Sequence, residues 1–206
     1  MNKPKLILST TSPYARRVRL AALENNVDFE VIVDVPWNDN TGVIKFNPLG
    51  KVPVWITKDN EAIVDSRVIV ELLENQNGYK FSSPNPTQYL EIKRIEALAE
   101  GIMDASLCLF AERRKRPEDL QHPWWIDRQF GKLHRGLEHL QNILGSQQFL
   151  FGRRLTVADF ALISALGYVQ LRFSEDFSLK EKYPVLMNYY EKQMQRESVK
   201  ATVPVL

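Results

Sequence analysis

A change of hydrophobic periodicity lies within residues 5–24, which read KLILSTTSPYARRVRLAALE. The run 5–9 is short and apolar and ends in polar residues, which is typical of a strand. Pro13 suits the first turn of a helix, because its missing N–H group costs no hydrogen bond there. Val18, Leu20 and Leu23 then give that helix a buried face. These residues predict a strand followed directly by an amphipathic helix.

A second strand is predicted at residues 29–33, which read FEVIV. Two strands joined through a helix form a βαβ unit with a right-handed crossover. We therefore expect the first two strands to be parallel. A looser segment follows around Pro36 and Trp37, where we expect only a short irregular helix.

Two more strands, at residues 54–57 and 62–64, are separated by a short polar turn and predict a hairpin. Asp65 and Ser66 then offer cap side chains to an amphipathic helix. The predicted order in this part of the chain is therefore βαβαββα.

The rest of the chain has helical periodicity. Prolines and serines in residues 79–86 interrupt helix and strand pairing alike, which is typical of a linker. We expect one domain over residues 1–78 and an all-helical domain over residues 87–206. Apolar residues recur at helical spacing over residues 87–109, 126–144 and 155–171, and in a final helix that Pro184 opens. Because residues 155–171 are apolar on nearly every side, we place that helix at the centre of the bundle.

Composition excludes several classes of function. The 206 residues include 27 Lys plus Arg and 25 Asp plus Glu, a formal charge of +2. That balance provides no broad basic field for nucleic acid or a membrane surface, so we expect neither as a partner. One cysteine excludes an internal disulfide and a Cys-rich zinc site, and three scattered histidines argue against a metal enzyme. We expect a chain of the reducing cytoplasm, without a leader or membrane span.

Four short motifs carry a resemblance to a known family. They are TSPYARRVR at 11–19, NPLGKVPV at 47–54, DSRVI at 65–69 and LTVAD at 155–159. In this order and at these separations they resemble the motifs of the cytosolic glutathione transferases. The resemblance implies an α/β plus all-α fold, with a thioredoxin-like βαβαββα domain followed by a helical bundle. It also implies a homodimer that uses glutathione as co-substrate, without a metal.

Ser12 is the predicted catalytic residue. It lies where a strand ends and a helix begins, so free N–H groups and the helix dipole favour an anion there. The resemblance implies that its hydroxyl stabilises the thiolate of glutathione. Without such stabilisation, a thiol is ionised only in part at neutral pH. Thr11 and then Thr10 are the alternatives, since a shift of one residue changes the assignment. Ser12 taken alone, without the other motifs, favours the structural interpretation, a side chain that only caps the helix.

Five residues are predicted to bind the glutathione peptide. The resemblance implies a cis peptide bond between Val52 and Pro53, which turns the Val52 backbone toward the cysteinyl amide. Lys51 would reach the glycyl carboxylate as a point charge. Ser66 would donate to the γ-glutamyl carboxylate and Asp65 would accept from the α-amino group. A solvated lysine and an ordinary helix cap are the structural alternatives.

The second substrate is expected between the two domains, where small apolar ligands usually bind. The predicted lining is Tyr14 and Trp37 from the first domain and Met103, Leu107 and Phe110 from the second.

Thr156 and Asp159 have a purely structural interpretation. Their spacing matches a capping box in which Asp replaces the usual Glu or Gln. We expect them to satisfy free N–H groups at the start of the central helix.

The predicted function is a serine-type glutathione transferase acting on a small apolar electrophile, as in detoxification. Relatives that work through a mixed disulfide carry Cys before the proline at 13, and here that residue is Ser12. The lone Cys108 lies in a predicted helix, so thiol–disulfide exchange is disfavoured. Two alternatives are an interaction module of the stringent-starvation-protein type, with or without bound glutathione, and a glutathione-dependent isomerase.

Overall fold

The computed structural model describes residues 3–206, and its first half has the predicted βαβ unit. β1 (Lys5–Leu8), α1 (Pro13–Glu24) and β2 (Glu30–Val33) follow one another, and β1 and β2 are parallel. The irregular helix expected after β2 is reduced to a single 3₁₀ turn at Val43–Lys45.

The sheet has four strands in the order β2-β1-β3-β4. β3 (Val54–Ile56) is antiparallel both to β1 and to β4 (Ala62–Val64), which confirms the hairpin. α2 (Ser66–Gln76) begins directly after β4, with Asp65 as its N-cap. This arrangement brings the loop after β1, the entry to β3 and the start of α2 to the same end of the sheet.

The second half is helical, as predicted. Its helices are α3 (Pro86–Arg114), α4 (Pro123–Leu144), α5 (Val157–Phe173), α6 (Leu179–Lys182), α7 (Pro184–Gln193) and α8 (Glu197–Lys200). α3 begins one residue earlier than expected, because Asn85 caps it and Pro86 fits its first turn. Pro184 does not open the final helix, since the short α8 follows α7.

α5 is the central helix of the bundle. It packs against α1, α3 and α7, and it is buried along nearly its whole length. Its buried apolar side chains include Phe160, Leu162, Ile163, Leu166 and Val169. Within residues 3–206, none of the helices combines the length and hydropathy that a membrane span requires.

The capping box at the start of α5 is confirmed. The Asp159 carboxylate accepts hydrogen bonds from the backbone N–H of Thr156 at 2.8 Å and from its hydroxyl at 2.7 Å. It also accepts from the Leu150 N–H at 3.0 Å and from the Tyr189 hydroxyl at 2.8 Å. One buried carboxylate therefore ties the start of α5 to the preceding loop and to α7.

Two arginines of α1 join the sheet domain to the helices. Arg16 and Arg17 are both buried, at 3% and 0% exposure. Arg16 reaches α5, where its guanidinium lies against Gly167 and leaves no room for a Cβ atom. Its guanidinium donates to the carbonyls of Ile163 and Val199 and to the hydroxyls of Tyr190 and Thr202, over 3.0–3.4 Å. These hydrogen bonds hold α1 against α5, α7 and α8, and they thereby position the loop that precedes α1.

Candidate functional site

A cleft of about 620 Å³ lies between the sheet domain and the helices α3 and α5. Eleven of the residues predicted to form the site line it: Thr11, Ser12, Tyr14, Trp37, Lys51, Val52, Pro53, Asp65, Ser66, Leu107 and Phe110. These residues come from five separate parts of the chain, so the fold alone brings them together.

Two predicted residues do not line the cleft. The Thr10 hydroxyl donates to the Val205 carbonyl at 3.0 Å and so contacts the C-terminal segment. Met103 is fully buried in the hydrophobic core. Glu100 and Asp104, one turn apart on α3, line the cleft in this region instead.

Ser12 is the N-cap of α1. Its Oγ accepts a hydrogen bond from the Ala15 N–H at 3.2 Å, and Pro13 occupies the first turn. A hydroxyl has one donor and two acceptor positions, so the Ser12 O–H can still donate to a ligand. Capping the helix and donating into the cleft are therefore compatible. Thr11 also lines the cleft, with its Oγ1 3.2 Å from the Ser9 Oγ.

Tyr14 connects the two walls of the cleft. Its hydroxyl donates to the Asp104 carboxylate of α3 at 2.5 Å. Burial, together with this hydrogen bond and the negative charge of Asp104, raises the pKa of Tyr14 well above its usual value. The phenol therefore stays protonated and is already engaged as a donor.

The Val52–Pro53 peptide bond is cis, in agreement with the resemblance. The loop before it is held by Asn47, whose side-chain amide donates to the Lys51 carbonyl at 2.8 Å. The Lys51 side chain is exposed at the edge of the cleft.

Asp65 has an unusual backbone conformation, with φ of 70°. For a residue other than glycine this costs on the order of 1–3 kcal/mol and is found mostly at functional sites. Its carboxylate accepts from the Arg67 N–H at 2.9 Å and from the Arg67 guanidinium at 2.7 and 3.1 Å. These hydrogen bonds lower the pKa of Asp65 to about 2, so it is ionised at neutral pH.

Arg17 lies behind the cleft, supports Ser66, and is not predicted from the sequence. From its buried position it donates to the Ser66 Oγ and to Glu96 at 3.2 Å, and it lies 3.6 Å from Glu100. Burial raises the pKa of Glu100, although the cations of Arg17 and Arg67 oppose the shift. An arginine on the apolar face of α1 was the available signal, since arginine is rarely buried without a partner.

The wall that faces the second-substrate region is aromatic. Trp37 and Phe110 meet edge to face, with their ring centroids 6.0 Å apart. Tyr168 and Arg172 of α5 complete this wall, and neither was predicted. The predicted central helix ends at Leu171, one residue short of Arg172.

Among residues 3–206, the lining of this cleft includes neither histidine nor cysteine. No group of three or more His, Cys, Asp or Glu side chains in residues 3–206 is placed to hold a metal. Cys108 is a free thiol on α3 that does not line the cleft. Desolvation, and then the nearby Asp104 carboxylate, raise the pKa of this thiol.

Comparison with known proteins gives a consistent result. Residues 11–76 match the glutathione S-transferase N-terminal domain, and residues 125–192 match the C-terminal domain. The chain is 36% identical to the uncharacterized GST-like protein YibF of Escherichia coli K12, over 97% of this chain and 98% of YibF.

Two solved structures show the same fold over nearly the full length. A glutathione S-transferase from Methylobacillus flagellatus with GSH bound has a TM-score of 0.93 and 37% identity, covering 98% of this chain and 100% of that one. A glutathione S-transferase from Methylobacterium radiotolerans in complex with glutathione sulfonate has a TM-score of 0.94 and 33% identity, covering 99% and 96%. The chain belongs to the glutathione S-transferase family.

Proposed function

We propose that this protein is a glutathione transferase that activates the glutathione thiol for attack on a small apolar electrophile. The observation that carries the proposal is that Ser12, Lys51, Val52, Asp65 and Ser66 line a single cleft. The GSH and the glutathione sulfonate present in the two solved relatives support the same ligand for this chain.

The cleft offers groups of suitable charge for each part of the peptide. The ionised Asp65 would accept from the α-amino group, and Lys51 would pair with the glycyl carboxylate. Ser66, at the N-terminus of α2, would donate to the γ-glutamyl carboxylate. Its Oγ already accepts from the buried Arg17, which fixes the hydroxyl and places a positive charge behind it. The Val52 backbone would pair with the cysteinyl amide.

Ser12 would donate a hydrogen bond to the sulfur and stabilise the thiolate. The thiol proton leaves to solvent, and the sulfur electron pair forms a C–S bond with the electrophile. In a substitution, the leaving group departs with its bonding electrons. In an addition, the electrons move into the conjugated system and a proton is then taken up. Thiolate stabilisation and proximity would supply the rate enhancement.

We also propose a homodimer acting in the cytoplasm. The family resemblance supports both statements. Several large apolar side chains remain exposed on the loop before β3, on α2 and on α3, as expected where a second subunit packs: Ile44, Phe46, Val68 and Leu90. Sedimentation of the purified protein at micromolar concentration would show the dimer.

Calorimetric titration with glutathione and with S-methylglutathione tests the proposed function. We expect both to bind with micromolar to millimolar affinity, because the peptide contacts are common to the two. Lys51→Gln should weaken both, whereas Lys58→Gln, in the exposed β3–β4 turn, should not. If neither ligand binds the unmodified protein, the transferase proposal is wrong and an interaction module becomes the better explanation.

A further inference from the structure

Arg172 has an unusual position in the cleft. Its guanidinium carbon lies 4.3 Å from the ring centroid of Phe110 and 5.7 Å from that of Tyr168. Its Nε is buried and has no hydrogen-bond partner. Within residues 3–206, no carboxylate lies within the 4.0 Å of an ion pair with Arg172, whereas the nearby Arg113 pairs with Asp176 at 2.8 Å. Arg172 is thus a half-buried cation in aromatic surroundings without an anion.

The acidic side chains of the cleft are already engaged with other residues. Asp65 pairs with Arg67, Glu100 lies within 3.6 Å of Arg17 and Arg67, and Asp104 accepts from Tyr14. None of them balances the charge of Arg172. Removing a cation from water without a counter-charge is unfavourable, so this position favours a ligand that supplies one.

A structural role explains only part of this arrangement. Arg172 lies in the last turn of α5, where a cation interacts favourably with the helix dipole. That role requires neither a position in the cleft lining nor stacking on Phe110. Both are expected of an arginine that recognises a planar oxyanion, because the guanidinium binds a carboxylate in bidentate geometry and stacks on aromatic rings.

We propose that Arg172 binds a carboxylate, or an equivalent oxyanion, on the second substrate, whose apolar body packs against Trp37, Phe110 and Tyr168. The preferred electrophiles would therefore be conjugated or aromatic acids and not neutral compounds. This inference rests on the proposed function, since it assigns the chemical class of the acceptor at the same cleft.

Two glutathione conjugates that differ in one group test the inference: S-benzylglutathione and S-(para-carboxybenzyl)glutathione. Their equilibrium binding requires no turnover. We expect the unmodified protein to bind the carboxylated conjugate at least about tenfold more tightly, as for a charge-assisted hydrogen bond. In Arg172→Gln the preference should fall to about one, while Arg172→Lys should keep part of it, because lysine retains the charge but not the bidentate geometry.

Arg128→Gln is the matched control, because Arg128 also lies over an aromatic ring, 5.5 Å from the Trp124 centroid, but outside the cleft. It should keep the full preference. The inference is overturned if the unmodified protein shows no preference or if Arg172→Gln retains it. The first outcome is measured on the unmodified protein, so it does not depend on whether a variant folds. If the unmodified protein binds neither conjugate, the proposed function itself has failed, which is distinct from binding both equally.

Discussion

At the scale of single residues, Ser12 combines a structural and a chemical role. Replacing it with alanine removes both the cap for the Ala15 N–H and the proposed donor to sulfur. We expect Ser12→Ala to lower kcat by about 10²–10³, as for the loss of one donor to a developing anion. The dissociation constant for glutathione should change far less, because the peptide contacts remain.

Kinetics with a reactive electrophile, beside calorimetry with glutathione, separate these two effects. Thr10→Val is the control, since Thr10 contacts the C-terminal segment and not the cleft. Equal losses in rate and affinity for Ser12→Ala would indicate a positioning role instead.

Asp65 allows a charge to be removed with little change of shape. Asparagine tolerates positive φ and can still cap a helix, so Asp65→Asn should keep the start of α2 intact. Loss of the carboxylate should weaken glutathione binding about tenfold or more, because its interaction with the α-amino group is charge-assisted. Asp59→Asn, in the exposed hairpin turn, should leave calorimetric affinity unchanged.

The pH dependence of this contact follows from the lowered pKa of Asp65. The pKa of Asp65 is about 2, below the usual 3.8. Asp65 therefore stays ionised and paired with Arg67 at every pH above about 3.8. This ion pair is lost only as the pH falls toward 2. Glutathione affinity should therefore show no titration of Asp65 between about pH 5 and 8. A step in that interval that Asp65→Asn abolishes would contradict this assignment.

At the scale of elements, the start of α5 depends on Asp159. Its carboxylate is buried and accepts from Leu150, Thr156 and Tyr189. Asp159→Ala would leave these donors without a partner, at a cost of about 1–3 kcal/mol each before relaxation. We expect a loss of at least about 3 kcal/mol in the free energy of unfolding. Urea denaturation measures it, and a loss below about 1 kcal/mol would show that the capping box is dispensable.

Two helical glycines make a matched pair. A Cβ at Gly167 would overlap the Arg16 guanidinium, whereas a Cβ at Gly101 on α3 would meet nothing within 4 Å. Gly167→Ala should destabilise the protein, because Arg16 must leave its hydrogen bonds or α5 must shift. Gly101→Ala should be neutral or stabilise it by up to about 1 kcal/mol through helix propensity. Thermal unfolding measures the stability of both variants. Similar changes in the two would contradict the close approach of Arg16 to Gly167.

The elements were largely predictable from sequence, and the site only in part. Periodicity and caps locate β1, α1 and the capping box, since these depend on neighbouring residues. Arg17 and Arg172 escaped prediction because their roles depend on groups far away in the chain, such as Ser66 for the first and Phe110 for the second. Met103 was misplaced for the same reason, as helical spacing on α3 cannot distinguish the cleft from the adjacent core.

At the scale of the whole molecule, Arg17 links the sheet domain to α3. It contacts Ser66 at the start of α2 and both Glu96 and Glu100 on α3. Arg17→Met should lower the free energy of unfolding by about 3 kcal/mol, because Glu96 and Glu100 each lose one of their two cationic partners. Glutathione affinity should fall as well, because Ser66 loses the group that fixes its hydroxyl.

Adding Glu96→Gln to Arg17→Met tests whether the two residues are coupled. The double variant should be less destabilised than the sum of the single variants, because the Arg17–Glu96 ion pair can be lost only once. Denaturation followed by both fluorescence and circular dichroism should give one transition in the unmodified protein. Simple additivity would show that Arg17 contributes only packing.

The ionisation of glutathione in the cleft tests most directly whether this protein activates sulfur. The ultraviolet absorbance of the thiolate, titrated against pH in the saturated complex, gives the pKa of the bound thiol. We expect a value at least about one unit below the roughly 8.5 of a free cysteine thiol, and a return toward the free value in Ser12→Ala. An unshifted pKa in the unmodified complex would contradict thiol activation and leave peptide binding as the only role of the cleft.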